Sequence, residues 1–437
     1  MMRIAWPPAS YSRAVPTVRV LLALLAATVF LLAAASVARA EDNITRSVSM
    51  KTVAVPTPRA PGGISAKTGI VLDAETGRQL WARGVNKRRL IASTTKIMTA
   101  LVAISRTTPN EMLTATNYRS GIGESLLGLK PGERMSAQDL IKGLLLESGN
   151  DAADTLAAGT ASSRAAFVQA MNRRARSLGL TRTRFANPIG LDSPNNYSTA
   201  SDLAKLGRFA LTVPRFSSVV DKAHLTLRSG PVTHRITNRN PLIGKYPWAV
   251  GVKTGHTLAA GYLLVGAAAK LDSRVVSVVT GEPTEAARED DSAALLRYGR
   301  AFYRPVTPLK KKRSVYALPV QYQDDIKAKV YPRRDIAFAA RNGEKVELRL
   351  DAPKEIKGPR SKDSIVGSAI VIRNGKQVAS VPVALGAAVP APPVTAVMLH
   401  ALGKILPWLL LALGLAMIAT VLLRRKQERT RRPGFVG

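Results

Sequence analysis

The sequence predicts an α+β fold, followed by a small all-β domain and one transmembrane helix near the C-terminus. Strand-like segments at 69–83 and 263–280 enclose a mainly helical region at 136–211. This order favours helices packed on an antiparallel sheet, in two or three layers. Short alternating runs follow residue 313, and residues 405–423 form an uncharged apolar stretch.

The elements can be assigned in chain order. Gly69–Arg83 predicts two strands joined by a turn. The segment after Ser93 has apolar residues at 97, 98, 101, 102 and 104, which is the spacing of a buried helix face. Gly251–Thr257 predicts an edge strand that turns into a partner beginning at Gly261. Alternating runs between 346 and 383, with turns at Asn342-Gly and Asn374-Gly, predict the small β domain.

Composition shifts and charge runs set the expected domain boundaries. In chain order we expect a signal peptide at 1–40, a linker at 41–61, a first folded domain at 62–304, a basic linker at 305–313, a β-rich domain at 314–386, a linker at 387–404, a transmembrane helix at 405–423 and a basic tail at 424–437.

The first 40 residues have the pattern of a secretory signal. Arg3, Arg13 and Arg19 precede the apolar run Val20–Ala35, and Ala38-Arg-Ala40 provides a small-x-small cleavage site. An uncleaved membrane anchor is the alternative, which the short apolar run disfavours.

The apolar stretch at 405–423 is long enough to cross about 30 Å of hydrocarbon. It is followed at once by six basic residues: Arg424, Arg425, Lys426, Arg429, Arg431 and Arg432. The positive-inside tendency therefore places the tail in the cytoplasm and the folded domains outside. A buried core helix is disfavoured by the Pro/Ala-rich linker at 387–393.

The composition excludes several kinds of site. The chain has no cysteine and four histidines, so a disulfide framework and a thiolate metal site are impossible. No His-Glu-x-x-His motif occurs, and the sequence predicts neither a metal nor another cofactor. The net charge of +35 suits anionic wall polymers, peptide carboxylates or acidic lipid headgroups, and an exported chain does not meet nucleic acid. A solvated basic surface without a particular ligand is equally compatible.

Ser93-Thr-Thr-Lys96 places a hydroxyl and an amine three residues apart at the start of a predicted helix. Side chains at i and i+3 share a face, so the Lys96 amine can reach the Ser93 oxygen. A serine attacks a carbonyl only when a base takes its proton, and Lys96 can be that base if burial or a cation such as Lys253 keeps it neutral. The alternative interpretation of Ser93 is an ordinary helix N-cap.

Ser148-Gly-Asn150 interrupts two helical runs. One interpretation is a turn between helices, with Gly149 as C-cap and Asn150 or Asp151 capping the next helix. The other places the Ser148 hydroxyl and the Asn150 amide beside Lys96. There they would deliver a proton to a leaving amine and hold the base and the substrate amide.

Lys253-Thr-Gly255 lies on the predicted edge strand, where alternation puts Lys253 and Gly255 on one face. Gly255 leaves room for a ligand against the backbone. Lys253 with the hydroxyls of Thr254 and Thr257 would form a carboxylate pocket, and the backbone N–H of His256 is a candidate oxyanion donor. Taken alone, the tripeptide is more often an ordinary exposed turn.

Together the three motifs resemble those of the active-site serine penicillin-recognising enzymes. Further segments narrow the resemblance to the serine D-Ala-D-Ala carboxypeptidases, the low-molecular-mass penicillin-binding proteins: Leu129-Lys-Pro-Gly-Glu, Asn187-Pro-Ile-Gly-Leu-Asp, Tyr197-Ser-Thr-Ala-Ser-Asp and Ala260-Gly-Tyr. The resemblance implies a β-lactamase/transpeptidase-like first domain and that family's β-rich second domain. It also implies a carboxylate-binding role for Arg288.

The resemblance implies a serine D-Ala-D-Ala carboxypeptidase of the bacterial cell membrane, with roles in cell-wall biogenesis and cell shape. Its substrates would be peptidoglycan stem peptides ending in D-Ala-D-Ala, and β-lactams would acylate Ser93. A β-lactamase is the first alternative, disfavoured because no Glu-x-x-Leu-Asn motif lies between Asn150 and Lys253. A catalytically inactive wall-binding protein is the second, disfavoured because the polar site residues are all present.

Overall fold

A computed structural model of the 437-residue chain describes residues 43–430, with side chains from 43 to 425. The strands are β1 (Asn43–Thr52), β2 (Thr68–Asp73), β3 (Gln79–Arg83), β4 (Arg89–Leu90), β5 (Met112–Thr114), β6 (Arg134–Ser136), β7 (Tyr197–Ser198), β8 (His224–Leu227), β9 (His234–Thr237), β10 (Ala249–Thr257), β11 (Gly261–Lys270), β12 (Ser273–Glu282), β13 (Tyr303–Leu309), β14 (Tyr316–Val320), β15 (Gln323–Pro332), β16 (Ile336–Arg341), β17 (Lys345–Pro353), β18 (Ile365–Arg373) and β19 (Lys376–Leu385). The helices are α1 (Lys96–Ile104), α2 (Ala137–Leu146), α3 (Asn150–Thr160), α4 (Arg164–Ser177), α5 (Ala200–Ala210), α6 (Pro214–Val220), α7 (Glu285–Ala301) and α8 (Val394–Thr430).

These elements form two compact units. The larger unit comprises Thr52–Thr307 and Ala337–Lys345. The smaller unit contains, within the described residues, 43–51, 308–336 and 346–430. The predicted signal peptide at 1–40 lies outside the described residues.

The larger unit is built on a five-stranded antiparallel sheet in the order β10-β11-β12-β2-β3. As the sequence predicts, β10 is an edge strand and pairs with β11 as a hairpin. Its register places Lys253 opposite Val265, which in turn lies opposite Val278 of β12. Strands from the two ends of this unit's sequence, β2 and β3 from the start and β10 to β12 from the end, therefore share one sheet.

Helices cover both faces of this sheet. Successive residues of β11 alternate between two separate apolar clusters: Val265 packs with the residues of α1–α5, and Leu264 packs with Leu295 and Leu296 of α7. Because neighbouring side chains on a strand point to opposite faces, each face carries its own core. The predicted α+β fold is confirmed, in its three-layer form.

Helix α1 lies at the centre of the helical layer. All of its residues from Lys96 to Ala103 are buried. Its neighbours begin at polar caps, since the side chains of Ser136, Ser163 and Thr199 accept backbone N–H groups at the starts of α2, α4 and α5. Such caps satisfy otherwise unpaired N–H groups and fix where each helix begins. The layer is thus a rigid support for the first turn of α1.

The smaller unit contains a six-stranded sheet in the order β1-β17-β18-β19-β15-β14. Strands β18 and β19 are joined by a turn in which Asn374 and Gly375 both have positive φ. Positive φ at both central residues is the geometry that Asn-Gly favours in a tight hairpin. The predicted β domain is therefore present, with β1 as an additional strand.

The structure corrects the predicted linkers. Residues 43–52, within the expected linker 41–61, form β1 beside β17. Strand β13 overlaps the expected basic linker at 305–313 and pairs with β16. Most of β1 is exposed on both faces, so it lacks the alternation by which strands are predicted. Its place depends on pairing with the open edge of β17.

The C-terminal helix begins earlier than the expected span at 405–423. Helix α8 runs through Pro407, and its segment Val394–Arg425, which contains an 18-residue window with a mean hydropathy of 2.4, is long and apolar enough to cross a membrane. The expected linker at 387–404 is accordingly limited to 387–393. Lys426, Arg429, Arg431 and Arg432 lie outside the described side chains.

Candidate active site

Ser93 lies in the 3-10 turn that precedes α1, and Lys96 is the first residue of that helix. The sequence predicts that the helix begins at Ser93, whereas the observed α-helix begins at Lys96, one turn later. Ser93 occupies neither N-cap position, since these belong to Ile91 and Thr95. Instead, Lys96 Nζ donates to Ser93 Oγ over 2.9 Å. Ser93 is also partly exposed among buried neighbours, as a nucleophile must be.

Lys96 is 0% exposed, and burial lowers its pKa well below the ordinary value. The charge of Lys253 lowers this pKa further, whereas Glu124 and Asp151 act in the opposite direction. Desolvation disfavours an ammonium ion because its hydration is lost, so the free amine is favoured. A free amine beside a serine hydroxyl is a general base.

A backbone carbonyl that the sequence does not reveal fixes the lysine. Lys96 Nζ also donates to Ile189 O, at 2.6 Å. The side chain of Asn187 accepts the N–H groups of Ile189, Gly190 and Leu191, which holds this loop in one shape. A Cβ on Gly190 would lie 2.1 Å from Ala92 O. The Asn187-Pro-Ile-Gly motif is thus the only sequence signal for this contact.

Ser148 and Asn150 connect α2 to α3, and both are buried. The expected C-cap was Gly149, but Ser148 takes the left-handed conformation, with φ 64°, and Gly149 is the N-cap of α3. A Cβ on Gly149 would come within 2.9 Å of Leu127 N, so this position needs glycine for close approach. The left-handed backbone at a non-glycine residue is strain of the kind found at functional sites.

The amide of Asn150 is held by a residue that the sequence analysis missed. Asn150 Nδ2 donates to Glu124 Oε2 at 2.7 Å, and Asn150 N donates to Ser125 O at 2.8 Å. Glu124 also accepts the hydroxyl of Tyr118. No motif marks this loop, because its contact with α3 arises only from folding.

Lys253 is 1% exposed, and its pKa falls to about 7. Burial is the largest cause, followed by the charges of Arg239 and Arg288, with Glu147 opposing them. Gly255 packs on the 3-10 turn, where an added Cβ would lie 3.2 Å from Ile91 O and from Thr94 N. Strand β10 thus brings Lys253 beside the Ser93 turn, as the predicted alternation implies.

The remaining predicted binding residues are placed as follows. Thr254 is buried beside Lys253, and Lys253 Nζ donates to Thr254 O at 3.3 Å. Thr257 Oγ1 donates to Asp192 Oδ1 at 2.9 Å and accepts Ala260 N at 3.0 Å. This hydroxyl therefore has partners within the protein and is not directed solely to a ligand.

His256 and Arg288 both contact the ring of Tyr262. The ring of His256 stacks on that of Tyr262 with 3.9 Å between centroids, and the Arg288 guanidinium lies 5.6 Å from the Tyr262 centroid. Arg288 is 3% exposed and pairs with Glu285, while its Nε has no hydrogen-bond partner among the described residues. A buried guanidinium with an unused donor, near Lys253, suits an anionic group of a ligand.

The folded chain thus brings a serine hydroxyl, a buried lysine and a polar loop together from three separate segments. This arrangement provides a nucleophile, its base and two further cations, which are the components of acyl transfer from a carboxylate-bearing substrate. Within residues 43–430 no group of three or more His, Asp or Glu side chains is placed to hold a metal ion.

Sequence profiles of two known families match the chain: D-alanyl-D-alanine carboxypeptidase over residues 52–284 and the penicillin-binding protein 5 C-terminal domain over 303–391. The D-alanyl-D-alanine carboxypeptidase DacC of Escherichia coli (strain K12) is 33% identical over 339 residues, covering 74% of this chain and 83% of that protein.

Two solved structures are also similar. Penicillin binding protein 5 from Haemophilus influenzae matches with a TM-score of 0.53 and 30% identity, covering 76% of this chain and 100% of that one. The Streptomyces K15 DD-transpeptidase matches with a TM-score of 0.52 and 33% identity, covering 56% of this chain and 100% of that one. The resemblance carried by the three motifs is therefore confirmed: the chain belongs to the D-alanyl-D-alanine carboxypeptidase family.

Proposed function

We propose that this chain removes the terminal D-alanine from peptidoglycan stem peptides through an acyl-enzyme on Ser93. The observation that carries the proposal is the pair formed by Ser93 Oγ and the buried amine of Lys96, 2.9 Å apart. Burial keeps that amine available as a base. The family supports D-Ala-D-Ala as the acyl donor.

The reaction begins when Ser93 Oγ attacks the carbonyl carbon of the penultimate D-alanine and Lys96 Nζ takes the hydroxyl proton. The carbonyl becomes an oxyanion, for which the backbone N–H groups of Ser93 and His256 are the proposed donors. The C–N bond then breaks, and Ser148 with Asn150 assists proton delivery to the departing D-alanine amine. Water then cleaves the ester and restores the Ser93 hydroxyl.

Recognition of the substrate carboxylate is proposed for Lys253, Thr254 and Arg288, with Gly255 leaving space along β10. Lys253 and Arg288 are both buried. A buried cation binds an anion more strongly than an exposed one because water screens the attraction less. Thr257 and His256 would line this pocket. The Thr257 hydroxyl is held in place by the hydrogen bond that it donates to Asp192.

The membrane arrangement is also a proposal. Helix α8 would anchor the chain in the bacterial membrane by a single pass, with the basic residues behind it in the cytoplasm and both folded units outside. The apolar segment Val394–Arg425 and the two arginines at its end support this arrangement. It would place the active site where peptidoglycan lies.

One experiment distinguishes the candidate functions. The protein is incubated with a fluorescent penicillin and, separately, with a peptide ending in D-Ala-D-Ala. A carboxypeptidase forms a lasting penicillin adduct and releases D-alanine. A β-lactamase turns penicillin over without releasing D-alanine, and an inactive wall-binding protein does neither. Either of the last two results would contradict the proposed function.

A further inference from the structure

The loop 118–125 contacts the active site through the carboxylate of Glu124. Its oxygens accept three donors: Asn150 Nδ2 at 2.7 Å, Gly121 N at 3.0 Å and the hydroxyl of Tyr118. The same loop binds the backbone of Asn150, whose N–H donates to Ser125 O at 2.8 Å. The segment therefore holds both the backbone and the side chain of Asn150.

Glu124 is ionised in this position. Burial by itself would raise the pKa of Glu124, but the hydrogen bonds from Tyr118, Asn150 and the backbone N–H of Gly121 lower it below its ordinary value. Hydrogen bonds donated to a carboxylate favour its charged form. An ionised carboxylate has only acceptors.

The charge of Glu124 therefore decides which way the amide of Asn150 faces. Because Glu124 can only accept, the amide group against it must be the NH₂ of Asn150. The carbonyl Oδ1 then points away from Glu124, so an acceptor is presented on the other side of the amide. With an apolar neighbour at 124, the two amide orientations would be much closer in energy, and a donating neighbour would favour the reverse orientation.

Glu124 also acts on the base. The charged groups that influence Lys96 are Lys253 on β10, Asp151 on α3 and Glu124 on this loop; Lys253 disfavours its ammonium form and the two carboxylates favour it. Asp151 is already bound by the N–H groups of Leu127, Gly128 and Leu129. Glu124 is bound mainly by side chains, one of which belongs to the site itself.

We propose that Glu124 is a positioning residue for acylation that acts through Asn150, whose amide it orients. Its carboxylate also favours the ammonium form of Lys96, which displaces the pH profile. The inference rests on the roles proposed above for Ser93, Lys96 and Asn150. During attack, Lys96 gains a proton while Ser93 loses one, and the nearby negative charge compensates the new positive charge. The same negative charge makes loss of a proton from the resting Lys96 ammonium slightly harder.

The test compares full-length Glu124→Ala, Glu124→Gln, Asn150→Ala and the double variant Glu124→Ala/Asn150→Ala. The rate of acylation by a fluorescent penicillin is measured across pH, together with D-alanine release. Glu111→Ala is the matched control, because Glu111 also accepts a loop N–H, that of Thr108 at 3.1 Å. Thermal unfolding of each variant reports folding separately.

We expect Glu124→Ala to slow acylation roughly 10-fold to 100-fold, as for a lost hydrogen bond to a charged group. Glu124→Gln should lose less, because its amide oxygen can still accept Asn150 Nδ2. In both variants the acidic limb of the rate profile should move to lower pH, since loss of the carboxylate lowers the pKa of Lys96. The double variant should be slower than Asn150→Ala by much less than the factor that Glu124→Ala costs alone, because the loss that passes through Asn150 is already made.

Wild-type rates for a folded Glu124→Ala would overturn the proposal. So would losses that multiply in the double variant, or an acidic limb that stays in place in Glu124→Gln. If the proposed function itself were wrong, Ser93→Ala would still be labelled by penicillin. That result distinguishes failure of the proposed function from failure of the role of Glu124.

Discussion

The side-chain nitrogen of Lys96 lies 2.9 Å from the hydroxyl oxygen of Ser93. The lysine has no exposed surface, and its second hydrogen bond goes to the carbonyl of Ile189. A carbonyl oxygen accepts from either the amine or the ammonium form, so this contact holds the nitrogen in place through a cycle of proton gain and loss. The position of the Lys96 nitrogen and its protonation are thus controlled by different neighbours.

Ser93→Ala should abolish both penicillin labelling and D-alanine release, because the hydroxyl is the only proposed nucleophile. The measurement is gel fluorescence after incubation with a fluorescent penicillin, alongside an assay for free D-alanine. Ser105→Ala, at the other end of α1, is a matched control that should keep both activities. Labelling of the Ser93 variant at the wild-type rate would contradict the assignment.

Lys96→Arg should lower acylation by about 100-fold or more. The guanidinium stays protonated and cannot take the Ser93 proton, which removes general-base catalysis. The rate constant for acylation by penicillin checks this, with thermal unfolding to confirm that the larger side chain is accommodated. Near-native acylation would mean that another group is the base.

Lys253 should make carboxylate recognition depend on pH. Its pKa is about 7, so the ammonium form is dominant below that pH and is lost as the pH rises above it. We therefore expect KM for a D-Ala-D-Ala peptide with a free C-terminal acid to rise above about pH 7. A peptide with an amidated C-terminus should be cleaved poorly at every pH.

Lys253→Ala should weaken the preference for the free acid and remove this rise in KM. Lys245→Ala, which changes an exposed lysine paired with Glu289, is the control. Equal cleavage of the acid and the amide by the wild-type protein would show that no carboxylate pocket operates.

Glu282 should make stability fall as pH rises. Burial and then the neighbouring Asp291 raise its pKa to about 7, and Ser65 Oγ donates to its carboxyl at 2.7 Å. Between about pH 4.5 and 7 the folded state binds more protons than the unfolded state, so the free energy of unfolding decreases across that window. The expected loss is on the order of 3 kcal/mol.

Glu282→Gln should remove most of this dependence and raise the melting temperature above pH 7, because the amide stays neutral. Thermal unfolding at several pH values measures it, with Glu75→Gln, on an exposed turn, as the control. A steeper fall of stability in the Glu282 variant would contradict the assignment.

Deleting residues 404–437 should release an active, soluble enzyme, since most of the apolar segment is removed and the folded units remain. Cell fractionation of both forms and protease treatment of intact spheroplasts check the topology. A truncated form that stays in the membrane after signal cleavage would contradict anchoring by α8. A full-length catalytic unit protected from external protease would contradict the proposed orientation.

The chemistry of the site could be predicted from local patterns. Ser93 and Lys96 are three residues apart at a helix start, and β10 and β11 alternate as a hairpin should, so both relationships are contained in short stretches of sequence. The α+β order of elements could be predicted for the same reason. By contrast, β1 is an exposed strand that depends on the distant β17, and local periodicity does not indicate it.

The sequence by itself therefore determined which residues could perform the reaction and which elements carry them. Only the tertiary structure decided the surroundings that set their properties. The carbonyl of Ile189 and the carboxylate of Glu124 reach Lys96 and Asn150 from loops distant in sequence. Burial, hydrogen bonds to backbone groups and charge separations depend on how the chain closes on itself, and these quantities control whether Lys96 is a base.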